Sequence, residues 1–181
     1  MRLFIAINLN DETQKKLLSL QNELRAHSKG GNYTLPDNLH LTLIFLGKCD
    51  AKQMIAIQSV MDASAFQPFP LLIEQLGRFK RNEGDVWWAG VHKSKNLIDL
   101  QHNLAAGLRS KDFQWDNRKY TPHITLGRKI ISNLAPRQIE PFGEVVYKID
   151  LIQSERVNGK LTYTSIYRRG KQEKQKSLSL P

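Results

Sequence analysis

Two short stretches hold the side chains best suited to chemistry: His40-Leu41-Thr42-Leu43 and His123-Ile124-Thr125-Leu126. Each reads as a piece of β-strand, where alternate side chains share a face. His and Thr two residues apart therefore project together, while the intervening aliphatic residues point into a core. With five His and seven Thr in 181 residues, roughly 0.2 His-x-Thr triplets are expected by chance, and such a motif gains meaning only from its structural context. Two occur, both followed by Leu and both inside apolar runs. Two such strands facing each other place two imidazoles and two hydroxyls around one small pocket, able to hold a phosphate and move protons on both sides of it.

That set suits the opening of a cyclic phosphodiester, which needs in-line attack by water and protonation of the departing oxygen. Histidine serves as base or acid because its reference pKa lies near neutrality. Threonine hydroxyls donate to the non-bridging oxygens, where charge builds up in the transition state. A metal held by both histidines would want carboxylate or thiolate ligands nearby, and the only acidic neighbour is Asp37, in a turn. No nucleophile-elbow motif supports a covalent Ser or Cys mechanism. The expectation is a site without metal or other cofactor.

The elements that must position these residues follow from periodicity. Residues 2 to 9 alternate, with Leu3, Ile5, Ile7 and Leu9 on a core face and Arg2, Phe4, Ala6 and Asn8 facing a groove or solvent. Asn10 caps a helix to about Ser28, with Leu17, Leu20 and Leu24 as its buried stripe. After the turn chemistry of Pro36-Asp37-Asn38, a strand from Leu39 to Leu46 turns Leu39, Leu41, Leu43 and Phe45 inward and His40 and Thr42 outward. Asp50 and Gln53 form a capping box for a second helix with Met54, Ile57 and Met61 inward. A hairpin follows, about Leu71 to Phe79 and Asp85 to Val91, with the basic tip Lys80-Arg81-Asn82-Glu83-Gly84. Adjacent Trp87 and Trp88 point to opposite faces, one to the core and one to a groove where it can stack on a base.

A third helix runs from Ser94 to about Ser110, with Leu97, Leu100, Gln101, Leu104 and Leu108 inward. A loop holding Trp115, Arg118 and Lys119 leads to the second motif strand, on which Thr121, His123, Thr125 and Gly127 share a face. Residues Leu134 to Pro141 read as a connection, followed by strands at about Gly143 to Ser154 and Lys160 to Arg168. His27, His92 and His102 fall at solvated positions. The expected architecture is α+β and two-lobed, with pseudo-symmetric antiparallel sheets, outer helices, and the motifs facing each other across a central cleft. Residues 1–169 are expected to form one bilobal domain, and 170–181 a disordered basic tail.

Composition narrows the function classes. The net charge is +10; about four of those charges lie between Arg168 and Lys176, leaving a basic body suited to RNA or nucleotides. No stretch approaches a membrane span, and the apolar run at Leu3 to Ile7 is too short and interrupted for a signal peptide. The single Cys49 allows no internal disulfide and no cysteine cluster for zinc, which makes a reducing cytoplasm the default.

The doubled His-x-Thr motif resembles the two-histidine phosphoesterase superfamily. The stretches Arg2-Leu3-Phe4-Ile5-Ala6-Ile7, Pro36-Asp37-Asn38-Leu39-His40-Leu41-Thr42-Leu43 and Pro122-His123-Ile124-Thr125-Leu126-Gly127-Arg128 resemble its RNA 2′,3′-cyclic phosphodiesterase branch, first named for 2′-5′ RNA ligase activity. The likeness extends to about Arg168, including Trp88-Ala89-Gly90-Val91, Ser154-Glu155, Gly159 and Tyr163. It implies a metal-independent enzyme that opens terminal 2′,3′-cyclic phosphates to 2′-phosphomonoesters, with reversible 2′-5′ ligation as a further capacity. By the same resemblance His40 is the proton donor and His123 the base, roles that the residues alone leave interchangeable. Thr42 and Thr125 would hold the phosphate. Arg128 matches a basic position after the second motif, but alternation gives it core-facing parity, so reaching the cleft requires a bulge at Gly127. The expected partners are RNA or nucleotide ends carrying the cyclic phosphate, with no obligate protein partner and a monomeric state. Competing readings are an enzyme for a small cyclic nucleotide or a 2′-5′ oligonucleotide, and an RNA-binding module without turnover.

Overall fold

The computed structural model describes residues 1–114 and 119–170. The strands are β1 (Arg2–Asn8), β2 (Asn32–Tyr33), β3 (His40–Lys48), β4 (Phe69–Phe79), β5 (Asp85–Val91), β6 (His123–Ile130), β7 (Arg137–Val146), β8 (Lys148–Val157) and β9 (Lys160–Gly170). The helices are α1 (Asp11–Ala26), α2 (Ala51–Ala63) and α3 (Lys95–Arg109), with a 3-10 turn at Pro36–Asn38. Antiparallel pairing gives two sheets, ordered β3-β1-β8-β9 and β2-β6-β5-β4-β7. Each His-x-Thr strand thus lies in a different sheet, as the two-lobed reading expects.

The helix starts are those the sequence signals. Asn10 accepts from the Thr13 amide at 2.8 Å, Asp50 and Gln53 form a reciprocal capping box, and Ser94 accepts from the Leu97 amide. Two of the helices, α1 and α3, reach beyond the sheet of the strand that precedes them. Although α1 follows β1, it packs on β6 and β7 of the other sheet, and α3 touches both β3 and β4. One apolar cluster therefore runs continuously through both sheets, from Leu3 and Leu41 to Leu76 and Ile124. Shared core, rather than a linker, fixes one sheet against the other. Among the described residues, no helix is long and apolar enough to cross a membrane.

Several expectations need correction. Phe45 is 51% exposed, because β3 bulges against β1: Ala6 pairs Thr42 while Ile5 pairs Ile44. Leu43 and Ile44 both turn inward there, which turns Phe45 outward before a second shift at Leu46. The even face of β1 is not a wet groove, since Phe4 and Ala6 are buried in a small second cluster with Ile152, against Tyr163. On α1, Leu20 is only half-buried and Gln21 is buried instead. The segment taken as a connection contains the start of β7, which runs through Pro141; that proline falls where β4–β7 pairing skips between Phe142 and Gln138, an edge irregularity that tolerates a missing donor. The single strand expected from Gly143 to Ser154 is the end of β7 and most of β8, separated at Tyr147, where the chain crosses between sheets. The basic tail beyond Gly170, and Trp115 and Arg118 of the loop before β6, lie outside the described residues.

Candidate active site

The two imidazoles are held in the same way. The Nδ1–H of His40 donates to the carbonyl of Asn38 at 2.7 Å, and that of His123 to the carbonyl of Thr121 at 2.6 Å. A carbonyl can only accept, so Nδ1 carries the proton and Nε2 is the nitrogen left for chemistry. In both cases the acceptor is two residues earlier, where the chain enters the strand. Asn38 is itself buried and pinned, its side-chain amide donating to the Leu161 carbonyl at 2.9 Å.

Each imidazole has an aromatic cradle. His40 stacks tilted on Phe4 at 4.9 Å and meets Tyr163 edge-on at 5.3 Å. His123 meets Phe79 edge-on at 5.2 Å and lies 6.2 Å from Trp88. Trp88 is thus the tryptophan on the site side of the pair, and Trp87 is fully buried. The apolar walls fix ring orientation and depress the charged state of each imidazole. Burial is the largest cause holding both pKa values below the ordinary one, partly opposed by the carbonyl hydrogen bonds. The charges of His123 and Arg128 lower His40 further, and Arg128 also lowers His123. The strands β3 and β6 that carry the two histidines approach each other directly, joined by the hydrogen bond from Tyr120 to Thr42.

The hydroxyl of Thr42 lies 2.9 Å from Nε2 of His40. Thr125 projects from β6 two residues after His123, and its carbonyl accepts from the Thr34 hydroxyl at 2.8 Å. Gln21, reaching from α1, donates to the carbonyls of both Thr34 and Leu126. Tyr120 donates to the Thr42 carbonyl at 3.1 Å, bridging from the approach to β6 onto β3.

Arg128 reaches this space by a bulge. Thr125 pairs Trp88 while Gly127 pairs Trp87, which leaves Leu126 as the extra residue. Leu126 and Gly127 both turn toward the core, so Gly127 leaves the His123 face and Arg128 emerges exposed beyond it. A side chain at 127 would collide with Ile130 Cδ1 at 2.5 Å and crowd the Asn32 carbonyl, where β2 docks.

His27, His92 and His102 stand apart on the surface; His27 bonds the Glu23 carbonyl and His92 pairs with Glu74. Residue-by-residue reading did not assign roles to Asn38, Phe79, Tyr120 and Tyr163. One signal was available for the first: each motif is preceded, two residues before the histidine, by the residue whose carbonyl orients it. Tyr120 acts across sheets and Phe79 from two strands away in the same sheet, and neither left a local trace.

Two antiparallel sheets with helices packed on them, one His-x-Thr strand in each sheet, are the architecture of a phosphoester-processing class. The family model described as the 2′-5′ RNA ligase superfamily matches residues 10–151. The chain belongs to that superfamily. It is 34% identical over 131 residues to the RNA 2′,3′-cyclic phosphodiesterase of Thermotoga maritima, covering 71% of this chain and 70% of the relative. It is 32% identical over 171 residues to the protein of that name from Escherichia coli, covering 92% and 94%. The crystal structure of E. coli LigT complexed with 3′-AMP superposes with a TM-score of 0.82 at 27% identity, over 93% of this chain and 97% of that one.

Proposed function

We propose that this protein hydrolyses 2′,3′-cyclic phosphodiester ends of RNA to 2′-phosphomonoesters by paired-histidine acid–base catalysis. The observation that carries the reading is the matched pair of imidazoles, each with Nδ1 committed to a backbone carbonyl. Each histidine thus keeps Nε2 for proton transfer, that of His40 against the Thr42 hydroxyl, and the charge of Arg128 acts on both rings.

Water attacks phosphorus in line with the 3′ oxygen. As the new P–O bond forms, Nε2 of one histidine takes the water proton; as the P–O3′ bond breaks, Nε2–H of the other gives its proton to O3′. The products are a 2′-phosphate and a 3′-hydroxyl, and the two imidazoles end with exchanged protonation states, reset by solvent. By analogy with the family, His123 is taken as the base and His40 as the acid; the geometry alone fits either order. Thr42, Thr125 and Arg128 take the non-bridging oxygens, where their donors stabilise the growing charge. A 5′-hydroxyl in place of water would leave a 2′-5′ linkage by the same geometry.

The test is incubation of an oligoribonucleotide ending in a 2′,3′-cyclic phosphate, followed by identification of the product isomer. A 2′-phosphate supports this assignment of bonds; a 3′-phosphate would mean that O2′ leaves, and no product would leave binding without turnover.

A further inference from the structure

The basic hairpin tip noted in the sequence forms a second feature beside the site. Between this tip and the bulged end of β6 lies an open pocket of about 580 Å³. Its charged lining is Lys80, Arg81, Arg128, Lys129 and Glu83. Glu83 is committed to Lys129 at 2.6 Å. The pocket therefore presents Lys80, Arg81 and Arg128 with no carboxylate of its own to answer them. The tip is held in shape from below: Asp85 accepts from the Arg81 amide at 3.1 Å and from Arg78 at 3.0 Å. Asp85 is thereby used up in bracing the turn rather than in neutralising the pocket.

Arg128 belongs to both places. It lines this pocket and its charge is felt at both histidines, while Phe79, the residue before Lys80 of the tip, meets the His123 ring edge-on at 5.2 Å, so the pocket adjoins the site. A ligand phosphate between the histidines and a second phosphate in the pocket would thus flank one guanidinium. A 2′,3′-cyclic phosphate closes the 3′ end of its strand, so the rest of an RNA can leave the site only from the 5′ side.

We infer that the pocket at the hairpin tip is a backbone subsite that takes the phosphodiester 5′ to the reacting nucleotide. This rests on the reading of the histidine site as an RNA-end phosphodiesterase, and it extends that reading from a single nucleotide to a strand. The enzyme then prefers oligonucleotides over cyclic mononucleotides, and the preference is electrostatic.

The test uses the full chain and two variants remote from the histidines, Lys80→Gln/Arg81→Gln and Glu83→Gln. Substrates are a 2′,3′-cyclic mononucleotide and a trinucleotide ending in the same cyclic phosphate. In the first variant KM for the trinucleotide rises about tenfold, and the slope of log KM against log salt falls by about 0.7, the loss of one phosphate contact to a single strand. KM and kcat for the mononucleotide stay within about twofold, since surface substitutions leave the fold intact. Glu83→Gln moves the trinucleotide KM the opposite way, because Lys129 is released. Fluorescence anisotropy with a trinucleotide ending in a 2′-phosphate reads the pocket even without turnover. A parent protein that binds this ligand through Lys80 and Arg81 but hydrolyses neither substrate would overturn the enzymatic reading and keep the subsite. Equal weakening of both substrates, unchanged trinucleotide affinity, or shifts of the same sign in the two variants would overturn the subsite.

Discussion

The hydroxyl of Tyr120 donates to the backbone carbonyl of Thr42 at 3.1 Å, joining the approach to one motif strand to the middle of the other. Burial raises the Tyr120 pKa far above the ordinary phenol value, so the hydroxyl stays a donor throughout the working pH range. Thr42 in turn contacts His40. Tyr120→Phe removes one partly buried hydrogen bond, worth about 1 kcal/mol, and leaves the carbonyl short of a partner. Tm should fall by about 2–4 °C and the hydrolysis rate severalfold as Thr42 loses its register with His123. Melts and single-turnover rates check this; an unchanged pair of values would mean that the bond fixes nothing.

The pH dependence follows from the two depressed imidazoles. Both titrate below the ordinary value in the free protein, burial being the main cause at each. Catalysis needs one protonated and one neutral, so the productive population declines as pH rises past the higher midpoint. kcat/KM, which reports the free enzyme, should therefore peak on the acid side of about 6.5. Stability runs as linkage requires: the unfolded chain takes up these protons at higher pH than the folded one. Stability is thus full above about 6.5 and falls as pH drops from there toward the folded midpoints. Arg128→Gln removes a charge that lowers both histidines and should raise both midpoints, while weakening phosphate binding. NMR titration of the imidazole carbons reads this directly. Parent midpoints above the ordinary value, or a downward shift on Arg128→Gln, would contradict it.

Trp88 rests on a seat made by glycine. A Cβ at Gly77 would sit 2.1 Å from the indole Cη2, well inside any real contact. Gly77→Ala must displace the ring from its present contacts with Phe79 and His123, at an overpacking cost of about 1–3 kcal/mol. The expected result is a lower Tm, altered indole fluorescence and a reduced kcat. An unchanged melt and rate would show that Trp88 does not support His123.

Hydrolysis should persist in excess chelator. Each imidazole has committed one nitrogen to a carbonyl, and among the described residues no group of three or more His, Cys, Asp or Glu is arranged to share a metal. Activity lost to a chelator and restored by zinc or manganese would move the mechanism to a metal site.

Much of this was legible in the chain because strand alternation is a local property. The pairing of His40 with Thr42, and of His123 with Thr125, needs only the two-residue period, and the helix caps at Asn10, Asp50 and Ser94 are likewise local. Alternation failed where a partner strand imposed a bulge. Phe45 was placed inward because nothing in β3 itself announces the extra residue that β1 skips. Gly127 marked the corresponding bulge in β6 because a glycine beside a misplaced arginine is visible in one dimension. The start of β7 reads as a connection because Pro136 lies in the segment from Leu134 to Pro141, yet an edge strand accommodates Pro141 at an irregularity. Tyr120 and Phe79 join the site through tertiary packing, which no spacing encodes.

Paired-histidine catalysis requires His40 and His123 to act in one transition state. The measurement is single-turnover hydrolysis of a cyclic-phosphate oligonucleotide by His40→Ala, His123→Ala and the double variant, with thermal melts alongside. Each single substitution should cost about 10²-fold or more, and the double variant should be only slightly slower than either, because residues that act as a unit are non-additive. All three should still fold, as each imidazole is only partly buried. A near-parental rate in either single variant, with an intact melt, would contradict paired-histidine catalysis.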